Sequence, residues 1–268
     1  MKLAAITLAC LCAVCASSHA DPLNAEPSAT VASGSPLDYT LVGAGLGYVP
    51  EYAGSDKGRV LPLPVFERSF SNGAFISSLR GIGIAHTLAD VNVSAALSYG
   101  GTRIDHKRNI FSGSDQLRGM GDIDGAVQAV LNASYRFDAI GVSLGTTQNL
   151  NRREHGATYT LGSSLQLHAS PTDQLSLGLS ADYGDRKYVQ TYFGVTPEQS
   201  QRSGYRRYSA KAGFTNLGAT LTWNHVIDSH WSVLGVAGVK HLTGDAADSP
   251  LTKRSTSPML LTSLIYKF

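Results

Sequence analysis

The stretch that decides the fold runs from Ala157 to Ala169 and reads Ala-Thr-Tyr-Thr-Leu-Gly-Ser-Ser-Leu-Gln-Leu-His-Ala. Every second residue from Ala157 onward is apolar, apart from Ser163, and the residues between them are small or polar. Because successive side chains of a strand point to opposite faces, this period of two predicts a β-strand with one apolar and one polar face. After the turn-forming residues 170–173, the same alternation resumes through Leu175, Leu177 and Leu179.

Similar alternation recurs along most of the chain and defines eleven candidate strands. They are residues 38–49, 59–70, 74–87, 91–103, 122–137, 139–148, 156–168, 173–183, 217–227, 231–242 and 258–268. Pro62 and Pro64 make the second candidate doubtful, because proline cannot donate to a sheet ladder. Without that candidate ten strands remain, and a strand pair hidden in 203–216 would then bring the number to twelve.

Composition favours a membrane barrel over a soluble sandwich, which would also alternate. Only 16% of residues are charged, yet no long apolar run follows residue 16, so the apolar residues are dispersed. A barrel in lipid requires that dispersion, since only every second residue meets the bilayer. Aromatic residues end several apolar faces, where membrane interfaces lie: Tyr99, Tyr135, Tyr159, Tyr183, Trp223 and Tyr266. We therefore predict an all-β fold, an antiparallel transmembrane β-barrel of about 10–12 strands.

The chain is predicted to have three parts. Residues 1–20 resemble a signal peptide that is cleaved after Ala20, because Lys2 precedes a short apolar run and a small-x-small site. Residues 21–37 are interpreted as a flexible periplasmic lead, and residues 38–268 as the barrel. All three cysteines lie in the first part, so the barrel has no disulfide. These features place the protein in the outer membrane of a Gram-negative bacterium.

The last residues favour the same location. Leu264, Tyr266 and Phe268 form an apolar series at every second position, and the chain ends on the phenylalanine. This pattern resembles the signal by which the barrel-assembly machinery of the outer membrane recognises its substrates. We expect outer-membrane lipid and lipopolysaccharide to surround the assembled barrel.

Charged residues on the predicted strands are expected to face the lumen, because a charge at the lipid midplane costs roughly 2–4 kcal/mol. Such a set could line a pore, but in a narrow barrel it could also form a closed polar plug, which we favour. These residues are Arg80, Asp124, Arg136, Asp182, Lys211 and Lys240. The balance of 22 basic and 20 acidic residues argues against nucleic acid as a partner.

Motifs that would indicate an enzyme are absent from the sequence. Seven histidines follow residue 20, and none has metal-ligand spacing. No Gly-x-Ser-x-Gly sequence occurs, and Gly43, Gly45 and Gly47 form an incomplete nucleotide motif that suits a curved strand. An Asp105–His106 pair at the rim remains as a catalytic alternative. We predict no catalytic residue, no metal and no cofactor.

Three long polar connections, 104–121, 184–208 and 243–257, are interpreted as outer loops. They could bind a partner or ligand, or could be solvated loops close to lipopolysaccharide. Their charged and aromatic residues include His106, Lys107, Arg108, Tyr188, Tyr192, Arg206 and Arg207.

Four stretches, 50–55, 61–64, 117–124 and 242–250, together resemble the MipA/OmpV family of outer-membrane proteins, the MltA-interacting proteins. They span nearly the whole barrel segment, and their order matches. The motif residues that we single out are Pro50, Tyr52, Gly54, Gly119, Gly121, Asp122, Asp124, Gly244, Asp245, Ser249 and Pro250. The glycines permit turns, and the aspartates can cap backbone amides or bind a cation.

The resemblance implies a scaffold in peptidoglycan remodelling. The namesake of the family is described as joining a murein-degrading lytic transglycosylase to a murein-synthesising penicillin-binding protein, so both are expected partners. Other members are described as porin-like proteins or adhesins, which leaves a small channel and a surface adhesin as alternatives. The motifs lie beside presumed outer loops, although the partners of such a scaffold are periplasmic.

Overall fold

A computed structural model describes residues 38–268, so the predicted signal peptide and lead lie outside the described residues. The chain forms a closed barrel of twelve antiparallel strands. The strands are β1 Tyr39–Pro50, β2 Gly58–Ser69, β3 Ala74–Ser77, β4 Gly81–Leu88, β5 Val91–Gly100, β6 Ala126–Phe137, β7 Ile140–Asn149, β8 Ala157–Ala169, β9 Asp173–Gly184, β10 Gly213–Val226, β11 Trp231–Leu242 and β12 Thr256–Lys267.

Each strand pairs with its neighbour in sequence, and β1 pairs with β12 to close the barrel, with Leu41 opposite Lys267. Both ends of the described chain therefore lie at the same end of the barrel as the short turns 70–73, 89–90, 138–139, 170–172 and 227–230. Short turns mark the periplasmic end of an outer-membrane barrel, so the long connections are extracellular. None of the helices in residues 38–268 is long and apolar enough to cross a membrane.

The strand count of twelve and the doubtful candidate 59–70 have one physical explanation. The candidate 74–87 is two strands, because a turn at residues 78–80 folds it into a short hairpin. As a result, β3 pairs with β2 only over Glu67–Ser69, whereas β1 pairs with β2 along its whole length. The N–H of Phe66 and the carbonyl of Pro64 both bond Ser78, on the β3 side, so Pro62 and Pro64 direct their missing donors toward this shortened edge.

The doubt about 59–70 was therefore wrong, and 203–216 does not hide a strand pair. Residues 203–216 contain the end of a helix, a connection and the start of β10. The helices are short and all lie in the outer connections: α1 Arg186–Phe193, α2 Pro197–Ser203 and α3 Gly244–Ala247, with single 3₁₀ turns at Asp115–Leu117 and Arg153–His155.

The outer surface of the barrel is apolar, as lipid contact requires. Leu161, Leu179 and Leu221 lie among the outward residues of their strands and are 57%, 52% and 40% exposed. Aromatic side chains form a band near each end of this surface. The extracellular band contains Tyr99, Tyr159, Tyr183 and Phe214, and the periplasmic band contains Tyr135, Phe137, Trp223, Trp231 and Tyr266.

The C-terminal residues belong to the periplasmic band. The ring of Tyr266 stacks on His230 at 5.4 Å and meets Trp231 and Phe268 edge-on. Leu264 and Phe268 are exposed on the outside of the barrel. This surface is available for recognition during assembly, which stays a prediction.

The lumen has two different walls. Strands β5–β10 direct small polar residues inward, such as Ser94, Ser143 and Thr220, and their charged residues are few. By contrast, β1, β11 and β12 direct a buried apolar cluster inward that contains Val49, Val236, Met259 and Leu261, with Leu61, Leu63 and Leu234 packed against it. On β1, a Cβ atom at Gly47 would lie 2.6 Å from Leu261 Cδ2. The absent side chain therefore lets the apolar wall close over this strand.

Candidate functional site

The extracellular connections fold together into a compact lid, which we call the outer cap and define as residues 51–57, 101–125, 150–156, 185–212 and 243–255. It contains two apolar cores. The first includes Val189, Tyr192, Phe193 and Ala246, and the second includes Tyr52, Leu117, Met120, Val195 and Leu251. Leu117 is fully buried, and Met120 and Leu251 are each 1% exposed. The long connections are therefore not simply solvated loops, and Tyr192 within them is only 4% exposed.

The first family motif joins the β1–β2 connection to the β11–β12 connection. Tyr52 donates from its hydroxyl to the carbonyl of Leu251 at 3.0 Å. The carbonyl of Gly54 accepts from the amides of Lys253 and Arg254, at 2.7 and 3.0 Å. Gly54 has φ +95°, and a Cβ there would lie 2.8 Å from Thr252 Oγ1, so this joint requires glycine.

The motif at residues 117–124 closes the long connection between β5 and β6 on itself. Gly119 and Gly121 donate their amides to Asp105 Oδ2 at 3.2 and 2.9 Å, and both have positive φ. Asp122 Oδ1 accepts from the amide of Asp105 at 2.9 Å. Burial by itself would raise the pKa of the Asp105 carboxyl, but hydrogen bonds from His106, Gly121 and Gly119 bring that pKa below its ordinary value. The motif therefore stabilises a loop around one ionised carboxylate.

The motif at residues 242–250 ties the β11–β12 connection to the β9–β10 connection. Ser249 donates from its hydroxyl to the carbonyl of Phe193 at 2.6 Å, in a buried position. Asp245 accepts from the amide of Lys211 at 2.7 Å through its carboxylate. Gly244 starts α3 with φ +52°, and Pro250 precedes Leu251, which is buried in the second apolar core. Motif residues thus hold the cap together, which explains why they lie in outer loops.

A buried arginine that the sequence did not single out lies at the centre of the cap. Arg103 is 6% exposed and donates from Nη1 to the carbonyl of Tyr192 at 2.6 Å. Its Nε and Nη2 donate to no acceptor among the residues that the structure describes. Burial lowers the pKa of Arg103 to about 10. The sequence placed Arg103 at a strand end, where nothing distinguishes it from a solvent-facing arginine.

A second arginine anchors the cap to the barrel wall. Arg59 points inward from β2 and donates from Nη2 to the carbonyls of Gly113 at 2.6 Å and Glu51 at 3.1 Å. The adjacent Ser114 donates from its hydroxyl to Glu51 Oε2, also at 2.6 Å. This group holds the β5–β6 connection over the mouth, next to the shortened edge of β2.

The residues predicted to face the lumen occupy different places. Arg136, Asp182 and Lys240 lie at inward positions of β6, β9 and β11. Asp182 accepts from the Thr160 hydroxyl at 2.7 Å. Arg80 lies in the β3–β4 turn, where its guanidinium pairs with Glu67 at 2.6 Å and covers the Phe75 ring.

The prediction that Asp124 and Lys211 lie on strand faces was wrong, because both precede their strands and belong to the cap. Asp124 pairs with Arg152 at 2.9 Å, and its side chain is 65% exposed. Lys211 is exposed two residues before β10. The alternation of apolar and polar residues continues past the true strand ends in this sequence. Only the pairing of neighbouring strands shows where each strand ends.

Asp105, His106 and Asp122 bring three candidate metal ligands together, with ligand atoms within 4.8 Å of one another. His106 Nδ1 lies 2.8 Å from Asp105 Oδ1, which is the rim pair considered as a catalytic alternative. However, the carboxylates already accept from the amides of Gly119 and Gly121 and from Arg108. The cluster is therefore accounted for as a loop-closing hydrogen-bond network.

A cavity lies directly beneath the cap, against the apolar wall of the lumen. Val49, Leu242 and Met259 form part of its side, and Lys240, Asn216 and Ser257 supply polar groups. Tyr188 and Phe193 of the cap cover it. The site therefore combines an apolar surface with one basic side chain.

The sequence model of the family described as "MltA-interacting protein MipA" matches residues 42–268 of this chain. The MltA-interacting protein of Escherichia coli (strain K12) is 29% identical over 92 residues, which cover 34% of this chain and 36% of that protein. The putative outer membrane protein YiaT of the same strain is 29% identical over 103 residues, 38% of this chain and 42% of that protein. The matched segments span well under half the length of either relative.

Solved structures similar to this chain include porins. The KdgM porin superposes with a TM-score of 0.43 at 9% identity, covering 85% of this chain and 99% of that chain. Pseudomonas putida OprB gives a TM-score of 0.38 at 9% identity, covering 86% and 94%. These values are too low to support an argument, so the fold of this chain rests on its own strand pairing.

Proposed function

Because the chain belongs to the family of MltA-interacting proteins, MipA, we propose that it is a non-enzymatic outer-membrane scaffold for peptidoglycan remodelling. It would hold a lytic transglycosylase that cuts murein, and a penicillin-binding protein that synthesises it, at the periplasmic face of the membrane. The closed outer cap is the observation that carries the proposal. Its buried cores cover the extracellular mouth, and its motif residues serve to hold it shut.

A cap held in this way leaves the periplasmic end as the surface for partners in the cell wall. That end consists of the short turns and the two ends of the described residues, beside Thr40 and Lys267. The turn 227–230 is held by its own side chain, because Asp228 accepts from the amides of His230 and Trp231, both at 2.8 Å. A rigid surface loses little conformational entropy on binding, which favours docking of a folded enzyme.

The channel alternative is favoured by a different observation, the inward-facing Arg136, Asp182 and Lys240 together with the polar wall of β5–β10. A conducting barrel would need a continuous water path, which the cap obstructs at the extracellular mouth. We therefore rank the scaffold first and the small channel second.

Site-specific blocking distinguishes periplasmic docking from docking on the cap. Residues 38–268 contain no cysteine, so single cysteines can be introduced and modified with a bulky maleimide-polyethylene glycol. Ser229→Cys lies in an exposed periplasmic turn, and Gln201→Cys lies on the exposed side of α2 in the cap. Binding of a purified lytic transglycosylase to the immobilised, folded barrel is then measured before and after modification.

We expect saturable binding that the modification at residue 229 abolishes and the matched modification at residue 201 leaves unchanged. A gel band that shifts on heating shows that each barrel is folded. Loss of binding only with the cap modification would mean that the partner docks on the extracellular side, which contradicts a periplasmic scaffold. No binding by any folded barrel would remove the scaffold proposal.

A further inference from the structure

The barrel wall is interrupted in its extracellular half between β2 and β5. The β3–β4 hairpin ends at its turn, residues 78–80, and pairs with β2 only over Glu67–Ser69. On its other side, β4 pairs with β5 only as far as Leu97. Above the turn, the described chain places no strand between β2 and β5, and these two strands do not pair with each other. We call this opening the notch and define it by residues 58–64 of β2 and 98–100 of β5.

The notch lies at membrane depth. Phe66 on β2 is opposite Val42 on β1, which is opposite Tyr266 of the periplasmic aromatic band. Pro62 lies four residues farther out, about 13 Å along the strand. Tyr99, on the β5 side of the notch, belongs to the extracellular band. The notch therefore opens toward the outer leaflet rather than toward water.

The backbone along the β2 side of the notch lacks hydrogen-bond partners. Ser78 bonds the amide of Phe66 and the carbonyl of Pro64, which marks the alternate residues of β2 that face away from β1. Farther out on the same side, the carbonyls of Val60 and Pro62 accept no hydrogen bond from the residues that the structure describes. Such acceptors are costly in lipid, where no water can donate to them. The notch therefore favours an occupant that brings N–H or O–H groups.

A strand of another protein would fit this edge poorly. Pro62 and Pro64 have no N–H to donate, so the acceptors of a paired strand would remain without partners. Lipids with only ester-linked chains also bring no donor beside the start of the chain. Lipopolysaccharide differs from them, because amide-linked hydroxyacyl chains carry an N–H and an O–H close to the headgroup. The chemistry of the edge therefore favours lipopolysaccharide over both alternatives.

Basic side chains lie at the outer end of the notch. Lys57 directly precedes β2 and is exposed. Arg59 binds the carbonyl of Gly113 at 2.6 Å, and Gly113 lies so close to the carbonyl of His106 that a Cβ there would collide with it. These contacts bring Lys107, which is exposed, to the same end of β2. Ammonium groups at this level are suited to a lipid phosphate.

Two further features of this region fit a lipid headgroup. The nearby acidic side chains are already engaged, since Asp56 accepts from Gln116 at 2.7 Å and Asp115 pairs with Arg118 at 2.8 Å. In the turn that leads to Gly113, the side chain of Ile110 is 68% exposed. An exposed isoleucine beside the outer end of β2 is suited to contact with the membrane surface.

We propose that the notch binds one molecule of lipopolysaccharide from the outer leaflet. An amide-linked acyl chain lies between β2 and β5, its N–H and O–H groups donate to the carbonyls of Val60 and Pro62, and a phosphate meets Lys57 and Lys107. The bound lipid thereby fills the wall that the short hairpin leaves open. This site does not depend on the scaffold proposal, which uses the opposite end of the barrel.

Native mass spectrometry of the full barrel, refolded in detergent without lipid, tests the proposal. The probes are lipid A, monophosphoryl lipid A, and cardiolipin, which has two phosphates but only ester-linked chains. We expect one lipid A per barrel, bound about tenfold tighter than cardiolipin, because the amide and hydroxyl groups supply hydrogen bonds. Monophosphoryl lipid A should bind about fivefold more weakly than lipid A, because it lacks one charged group.

A pair of double variants tests the headgroup contact. Lys57→Gln with Lys107→Gln should weaken lipid A binding about tenfold. Lys187→Gln with Lys211→Gln removes the same charge from two exposed lysines elsewhere in the cap and should leave binding unchanged. A heat-shifted gel band shows that each variant is folded.

Photocrosslinking locates the acyl chains. Benzoylphenylalanine is introduced at Val60, beside the notch, or at Leu161, on the continuous wall of β8; these outward side chains are 55% and 57% exposed. In nanodiscs of phospholipid with a small fraction of lipid A, we expect severalfold more lipid A crosslinked at residue 60 than at residue 161.

Equal affinities for lipid A and cardiolipin would overturn the proposal without any variant. Equal crosslinking at residues 60 and 161 would reject the notch as the site, and equal affinities of the two double variants would reject the headgroup contact. All of these measurements report lipid binding, so their failure is distinct from a failure to bind a lytic transglycosylase.

Discussion

Asp105 shows how a single side chain organises the longest connection of the cap. Its carboxylate accepts from two glycine amides and contacts His106, so three separate positions converge on one charge. The two glycines adopt φ values of +87° and +82°, which a side chain at either position would disfavour. The spacing of the glycines was visible in the sequence, but the carboxylate that joins them lies 14 and 16 residues away.

The ionised form of Asp105 stabilises the cap, which predicts a pH dependence. Because the pKa is lowered in the folded protein, the stabilisation is present above the ordinary value of 3.8 and is lost as the pH falls through the lower, folded value. Asp105→Asn should therefore make amides of residues 101–125 exchange hydrogen roughly tenfold faster at neutral pH, with the difference disappearing in acid.

Hydrogen–deuterium exchange with mass spectrometry measures this effect, with wild type and variant compared at each pH so that intrinsic exchange cancels. Asp138→Asn, in a periplasmic turn, is the control for a lost negative charge. A difference between wild type and Asp105→Asn that persists unchanged at pH below both pKa values would contradict the role of the charge.

At the scale of elements, β2 shows how proline is accommodated in a barrel. Pro62 and Pro64 lie at positions whose N–H groups would face the edge beside the shortened β3–β4 hairpin. Leu63 lies between them, opposite Gly45 of β1, so its N–H faces the intact ladder. The prolines made 59–70 a doubtful strand in the sequence, which could not show that the neighbouring hairpin was short.

Proline should be tolerated on one side of β2 and not on the other. Leu63→Pro removes a ladder hydrogen bond and should cost about 3 kcal/mol or prevent folding. Pro64→Ala, one residue away, should change the free energy of unfolding by less than about 1 kcal/mol. Denaturant unfolding in detergent, followed by the heat-shifted band, measures both.

Leu63→Ala separates the effect on the ladder from the loss of an inward apolar side chain. If Leu63→Pro were no worse than Leu63→Ala, the N–H of Leu63 would not support the ladder, and the assignment of the two edges of β2 would be reversed.

At the scale of the whole molecule, the cap determines whether the lumen can conduct. The β5–β6 connection leaves the barrel through a neck in which Arg103 and Ile123 exchange backbone hydrogen bonds at 2.9 and 2.7 Å. Beyond this neck, Leu117 and Met120 of the β5–β6 connection pack in the second cap core. The connection can therefore be shortened at the neck with little effect on the strands.

Replacing residues 105–121 by a short Gly-Ser linker should raise the conductance of single barrels in planar bilayers severalfold. The reason is that the linker removes both buried side chains from the mouth, while the Arg103–Ile123 neck can still close. The unaltered barrel, reconstituted in the same bilayer, is the control. If it already conducts as well as the shortened barrel, the cap does not close the path and the channel becomes the leading function.

The barrel could be predicted from the chain alone because alternation is local: each strand records in its own residues which face meets lipid. The family motifs were also visible, and Arg136, Asp182 and Lys240 were predicted to face the lumen. The cap could not be foreseen, because its contacts join residues far apart in sequence, such as Tyr52 with Leu251 and Arg103 with Tyr192. Long-range packing also determines the strand ends, the shortened edge of β2 and the cavity. Sequence periodicity reports only local structure, so it could not predict them.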